Sequence, residues 1–274
     1  MKNPVQIVLL TGGSSGIGAA TAMMLSRNGM IVYAGSRRGI LPEAAQEGSA
    51  TLIPVKLDVN DADSLKSAVE RIVSEQGRLD AVICNAGNGV AGAVEETSEA
   101  EVRAQMETCF FGAVKTIQAC LPTFRAQGHG RIITVTSVAA LIPIPYQAFY
   151  SAVKSALLTL TEALSLEVKP FGIQCCSLLP GDTRTGFTAA RKYTRASQNE
   201  QSPYYRKMTQ SVKKMEHDEQ NGMAPEVMAR AILRQLKKRR MAVTVTPRID
   251  YRLIGLLSHW LPDRLMLWIV GLLY

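Results

Sequence analysis

Residues 5–18 read VQIVLLTGGSSGIG, and this stretch decides the fold. Val5 to Thr11 is a short apolar run that stops at glycines, the pattern of a strand buried on both faces of a parallel sheet. Over residues 16–28, Ile17, Ala20, Met24 and Leu25 recur at helical spacing, and Gly29 ends the helix. A strand that passes through glycines straight into a helix makes an anion cradle. The glycines allow a tight turn and close approach of backbone to a pyrophosphate, which then lies against the positive helix N-terminus. Glycine clusters also occur in many turns that bind nothing; the strand before and the helix after give this one its weight.

Working outward, the same alternation repeats. Ile31 to Gly35, Thr51 to Leu57, Asp80 to Cys84, Arg131 to Thr136, Ile173 to Leu179 and Ala242 to Thr246 read as further strands. Between them lie a helix with apolar positions at Leu65, Val69 and Ile72, a long helix over 99–127 interrupted or ended near Pro122, and helices over 150–168 and 225–239. This pattern predicts an α/β fold: a single doubly wound Rossmann-type domain over 1–248, with about seven parallel strands and helices on both faces. Residues 182–222 are polar and without clear periodicity, and are expected to form a long loop that acts as a substrate lid. Residues 249–274 are expected to be an apolar, helical C-terminal extension.

Composition narrows the function classes. The 274 residues are 47% hydrophobic and 20% charged, which describes a globular chain with an ample core. The net charge of +8 allows an anionic partner, but no nucleic-acid motif is present, and Lys237 to Arg240 read as a solvated helix end. No nucleic-acid partner is therefore expected. The five cysteines (Cys84, Cys109, Cys120, Cys175, Cys176) have no CxxC spacing and read as reduced core thiols, while His129, His217 and His259 lie far apart in loop-like contexts. No metal site is expected. No signal-like leader and no apolar stretch of about 20 residues is seen. The expected location is the cytoplasm, with attachment to a membrane face left open.

Chemistry is expected at the carboxyl edge of the sheet, where open α/β sheets bind ligands. The second strand ends in Ser36-Arg37-Arg38, with no acid until Glu43. An acid would accept hydrogen bonds from a free ribose 2′-OH, whereas Arg37 and Arg38 offer planar forks to a 2′-phosphate, so the cofactor expected is NADP(H). Tyr150 and Lys154 are four apart at the start of a helix and share one face, and Ser137 follows the fifth strand. A carbonyl that receives hydride becomes an alkoxide and needs a proton. A phenol with a pKa near ~10 suits that role only when a cation lies beside it, and Ser137 can hold the substrate oxygen. A Tyr–Lys pair at this spacing is common on helices; the ordered company of the other motifs makes it specific.

Thr11-Gly12-Gly13-Ser14-Ser15-Gly16-Ile17-Gly18 has the form TGxxxGxG, which resembles the short-chain dehydrogenase/reductase family, among them hydroxysteroid dehydrogenases. The resemblance spans about residues 5 to 190 and includes Ser137, Tyr150 and Lys154. It implies that Thr11, Gly12, Ser14, Ser15, Gly16, Ile17 and Gly18 cradle the cofactor, with Asp58 and Val59 at the adenine and Asn85, Ala86 and Gly87 at its ribose. Pro180, Gly181 and Thr185 would flank the nicotinamide, and Lys154 would also hold the nicotinamide ribose. One position departs. Where the family carries an asparagine three residues before a glycine, to hold a relay water, this chain has Cys109 ahead of Gly112. A thiol is a weak donor and acceptor, so Cys109 is expected to be packing only.

The function expected is hydride transfer between NADP(H) and an alcohol or carbonyl. Residues 138–149 (VAALIPIPYQAF) contain no cation, so the substrate is expected to be lipophilic: a steroid, a retinoid or a long-chain keto compound. Phe187, Tyr204, Tyr205, Met208 and Met215 would add to the pocket, and Arg184, Arg191 and Lys192 could touch an anionic end. A 3-oxoacyl thioester reductase is the competing enzyme, and a non-catalytic NADP-sensing protein is the competitor outside enzymes. The apolar tail LIGLLSHW…LPDRLMLWIVGLLY admits packing on the domain, contact within a homo-oligomer (dimer or tetramer), or peripheral contact with a membrane.

Overall fold

The structure is a computed structural model that describes residues 6–42, 45 and 50–274. In chain order, the main sheet and its first helices are β1 (Ile7–Thr11), α1 (Gly16–Arg27), β2 (Ile31–Ser36), β3 (Leu52–Lys56), α2 (Ala62–Gln76) and β4 (Ala81–Cys84). A two-residue strand, β5 (Val90–Ala91), precedes α3 (Glu99–Met106) and α4 (Gly112–Gln127). Then come β6 (Gly130–Val135), α5 (Ala148–Glu167), β7 (Ile173–Leu178), β8 (Lys192–Tyr193), α6 (Tyr205–Gln220), α7 (Pro225–Lys237), β9 (Thr244–Val245), α8 (Ile249–Trp260) and α9 (Asp263–Leu273).

Seven strands form one parallel sheet in the order β3-β2-β1-β4-β6-β7-β9. The period-two alternation of each strand divides the core in two. Ile7 and Leu9 of β1 face α2, α4 and α5, meeting Leu65, Ile72, Ile117, Phe124 and Leu157. Their neighbours Val8 and Leu10 face α1 and α7, meeting Leu25, Met228, Ile232 and Leu236. Both sides of the strand are therefore buried, which is why its sequence is continuously apolar. The chain crosses from β3 through α2 to β4 on the far side of β1, so strand order reverses between β1 and β4. The crevice that such a reversal opens at the carboxyl ends is where ligands of these folds sit.

Strand ends differ from the sequence expectation by one or two residues, and Val5 lies outside the described residues, as does Glu43. Three differences are larger. The break in the long helix falls at 107–111, a single π-helical stretch, while Pro122 is carried inside α4. The widened turn delivers Gly112 against Val59, where a Cβ would stand 2.7 Å from Val59 Cγ2. Residues 182–222 are not one irregular loop. They contain β8, paired in parallel with β5, and the sixteen-residue α6. In α6 the buried face is Met208, Ser211, Val212 and Met215, a stripe with a serine in it inside an otherwise charged segment, so its helical period was faint in the sequence. His217 accordingly sits on a helix.

All five cysteines are buried and free. The tail forms two helices. The inner side of α8 packs Tyr251 and Ile254 onto Val138, Leu141, Ile142 and Leu179. Ile249, Leu253, Leu256, Leu257 and Trp260 of α8, and Leu265, Leu267, Trp268, Leu272 and Leu273 of α9, remain exposed. Among the described residues, no helix is long and apolar enough to cross a membrane.

Candidate active site

The glycine turn is fixed by backbone packing. Gly12 and Gly16 adopt φ +67° and +55°, the left-handed region that favours glycine. At Gly18 a Cβ would stand 2.1 Å from the Gly12 carbonyl oxygen, so no side chain can be accommodated there. Thr11 Oγ1 accepts from the backbone N–H groups of Asn85 (3.0 Å) and Ala86 (3.1 Å). The Asn85 amide returns the bond, donating to the carbonyls of Thr11 and Gly12, each at 3.1 Å. Thr11 and Asn85 thus tie the turn after β1 to the end of β4 and hold the crevice at a fixed width.

Helix α1 starts at this turn without a cap. Ser15 is extended and makes no side-chain capping bond, and the first turn carries no acid. Its leading N–H groups are free for an anion. Thr185 reaches the same place, since a Cβ on Gly16 would lie 3.3 Å from Thr185 Cβ. Ser14, Ile17 and Gly87 stand along this edge with them. Arg37 and Arg38 are exposed just beyond β2, and Asp58 follows β3. Asp58 accepts from Asn60 N–H at 3.0 Å. The residues present suit a dinucleotide phosphate: an uncapped helix N-terminus, glycines at its mouth and two cations at the end of β2.

The candidate catalytic residues come from two elements. Ser137 ends the run of β6, and its oxygen accepts from Ala139 N–H at 3.1 Å. Tyr150 and Lys154 project from the first turns of α5. The Lys154 ammonium is buried, donates to the Val135 carbonyl at 2.9 Å and lies 5.6 Å from the Tyr150 ring centroid. Burial lowers the pKa of Lys154. Burial also pushes the Tyr150 phenol well above the usual tyrosine range, opposed by a hydrogen bond with the Ser137 hydroxyl. As folded, Tyr150 is therefore a protonated phenol at neutral pH, held by Ser137.

Tyr146, four residues earlier, has φ +60°, a strained conformation for a tyrosine. Its carbonyl accepts from Gly92 N–H at 2.9 Å, and its ring packs on Ala91, Met208 and Val212 beneath α6. These long-range contacts hold the entry to α5 against α6.

The expected pocket residues divide. Phe187 lies 5.8 Å from the Tyr150 ring, beside the reacting groups. Met208 and Met215 are in the core under α6. Tyr204 and Tyr205 bind Glu95 and Glu200. Arg191 is not a free anion contact; it is buried and paired with Glu219 and Glu216. Cys109 has more polar company than packing implies. Its Sγ lies 3.1 Å from Gln105 Nε2 and 3.2 Å from Asn88 Oδ1, and a Cβ on Gly87 would sit 3.5 Å from that sulfur and 3.8 Å from Lys154 Nζ. Asn88, Gln147, Glu216 and Glu219 escaped the sequence reading, because each meets its partner across the fold, and so did Gln105, one helical turn from Cys109.

Residues 6–196 match the family model described as short chain dehydrogenase. The chain is 40% identical over 272 residues to a 3-ketodihydrosphingosine reductase of Bacteroides thetaiotaomicron, covering 98% of each chain. It is 36% identical over 191 residues to human 17-beta-hydroxysteroid dehydrogenase type 1, covering 66% of this chain and 58% of that one. A short-chain dehydrogenase of Streptomyces avermitilis superposes with a TM-score of 0.81 at 29% identity, covering 93% of each chain. The turn at the head of α1, the order of the seven strands and the gathering of Ser137, Tyr150 and Lys154 have the same explanation: this chain belongs to the short-chain dehydrogenase family and is an oxidoreductase that uses a nicotinamide cofactor.

Proposed function

We propose that the protein reduces the carbonyl of a lipophilic ketone with NADPH. The convergence of Ser137, Tyr150 and Lys154 at the mouth of the glycine turn carries this reading. Bound nicotinamide supplies the hydride. The chain's own part is to hold the carbonyl and deliver the proton. Ser137 bonds the carbonyl oxygen and the phenol together. Tyr150 donates to that oxygen as it becomes an alkoxide, and its raised pKa keeps the proton available. Lys154, its ammonium fixed on the Val135 carbonyl, stabilises the phenolate left behind and would also hold the cofactor ribose. The intact proton donor argues against a cofactor sensor without catalysis.

A lipophilic substrate is supported by the uncharged wall from Val138 to Ile144 and by the substrates named for the Bacteroides and human relatives. NADP(H) rests on Arg37 and Arg38, whose forks suit a 2′-phosphate. Arg37→Asp is expected to weaken NADPH binding and to favour NADH relative to it; equal affinity of the native protein for both cofactors would remove the assignment. Fluorescence titration with each cofactor provides the measurement. The exposed apolar side of α8 and α9 calls for a cover. We assign it to a second copy in a homo-oligomer, with a membrane face as the competing partner.

A further inference from the structure

The C-terminal extension is tied to the cleft through Tyr251, in the first turn of α8. Its ring lies against Gly181 so closely that a Cβ there would overlap the ring carbons. The Arg248 guanidinium lies 5.5 Å over the same ring. The Tyr251 hydroxyl serves Asp182 twice: it accepts from the backbone N–H at 3.1 Å and donates to the carboxylate at 2.6 Å. With phenylalanine in its place, a half-buried N–H and a half-buried carboxylate would both lose this partner. Asp182 is also held from a second direction. Its carbonyl accepts from Met223 N–H at 2.9 Å, and Gly222 passes it so closely that no side chain fits there.

The segment clamped in this way borders each part of the candidate site. The Pro180 carbonyl accepts at 2.8 Å from the N–H of Val138, the residue after Ser137. Thr183 Oγ1 donates to the Gly181 carbonyl at 2.8 Å and tightens the turn. Thr185 stands beside Gly16 at the head of α1, and its Oγ1 accepts from Phe187 N–H at 3.1 Å. The Phe187 ring then lies 5.8 Å from the ring of Tyr150. Residues 180–187 thus run from the serine past the glycine turn to the tyrosine, and Tyr251 grips their first half.

We propose that Tyr251 is a positioning residue of the active site: its hydroxyl fixes the main chain at Gly181 and Asp182, and with it the wall that confines the nicotinamide ring. This rests on the nicotinamide reading above, in which Pro180, Gly181 and Thr185 flank that ring. The glycine turn grips a dinucleotide at its phosphates and leaves the ring end to be held by other groups. Hydride transfer depends steeply on how the donor carbon meets the carbonyl, so slack in that wall costs rate before it costs affinity. The extension is on this account a working part of the site, although Tyr251 touches neither substrate nor cofactor.

The test compares the full-length native protein with Tyr251→Phe, which keeps the ring on Gly181 and removes only the hydroxyl. NADPH affinity, read by calorimetry, is expected to stay within about twofold, because the phosphate cradle is untouched. With methyl nonyl ketone as probe, kcat should fall roughly tenfold, a modest case of a misplaced reacting pair. The fluorescence lifetime of bound NADPH reads the ring without turnover and should shorten as the ring gains freedom. Asp182→Ala should repeat this pattern, and Asp182→Asn, whose amide oxygen still accepts from the hydroxyl, should lose less. Should Tyr251→Phe fail to fold, these two variants decide. Native kcat and native lifetime in Tyr251→Phe, with only a lower Tm, would overturn the proposal. So would a loss of NADPH affinity as large as the loss of rate. Failure of the native protein to reduce the probe counts against the lipophilic-ketone reading instead, and the lifetimes then decide on Tyr251.

Discussion

The two ends of the cleft are held together by different means. At the turn after β1, backbone meets backbone: Gly18 fits against the Gly12 carbonyl, and Thr11 and Asn85 exchange bonds with main-chain groups. Around residues 182–222, side chains meet side chains from distant segments. Arg191 pairs with Glu219, Ser202 donates to Glu96 at 2.6 Å, Tyr204 to Glu95, and Tyr251 to Asp182 at 2.6 Å. A cradle made of main chain does not depend on which side chains surround it, and a segment held by side-chain pairs can be re-specified one pair at a time. One end is thus fixed by main chain, and the other can change residue by residue.

Tyr150→Phe tests that separation most strongly. Turnover is expected to fall at least ~10²-fold, the usual size of a positioned proton transfer, while NADPH affinity stays intact because the cradle is untouched. In the native enzyme, burial raises the phenol, so reduction should hold through neutral pH and decline only as alkali removes the Tyr150 proton. Steady-state rates across pH and a cofactor titration read both, and an unimpaired variant would end the mechanism.

Removing residues 259–274 should give an intermediate effect that leaves the glycine turn untouched. The deletion takes away α9, including buried Val270, and Tyr274, whose phenol lies within the field of Asp182, Asp218 and Glu219. Each large apolar side chain uncovered is worth roughly 1.5–3 kcal/mol, so a lower Tm or a smaller oligomer is expected, with unaltered NADPH binding. Scanning calorimetry and light scattering check this. Co-sedimentation of the intact chain, but not the truncated one, with anionic vesicles, at equal stability, would replace the second copy by lipid.

Cys109→Ala should have the smallest effect, a loss of turnover within about a few-fold, since ordinary packing changes of this size are modest. Its thiol touches Gln105 and Asn88 and belongs to neither end. A large loss of kcat at unchanged melting temperature would draw the sulfur into the proton path from Lys154.

What was legible in the sequence follows the same division. The cradle could be read because its residues are consecutive, and strand, glycines and helix each leave a local period or a break in one. Tyr150 and Lys154 could be read because one helical turn joins them. The cluster around Arg191 could not, because Glu219 lies 28 residues on and Gln147 precedes β7 in the chain. In α6 the charged residues, Glu216 and Glu219 among them, diluted the apolar stripe that makes it a helix. The same helix-forming segment therefore read as loop, and the break at 107–111 was misplaced to Pro122, the residue whose missing N–H is the more obvious breaker.

The five buried thiols give the protein a built-in clock. Burial, the largest cause in each case, pushes Cys84, Cys175 and Cys176 up to about 12, and raises Cys120 well above the usual thiol range. Alkylation needs thiolate and access, so these four are silent while the sheet is closed and react once it opens. Cys84 on β4 and Cys175 on β7, with β6 between the two strands, share one core layer with Cys120 of α4, while Cys176 of β7 faces the opposite layer. Their rate of labelling reports the opening of the sheet's centre, whereas Cys109, beside Asn88, reports the breathing of the cleft.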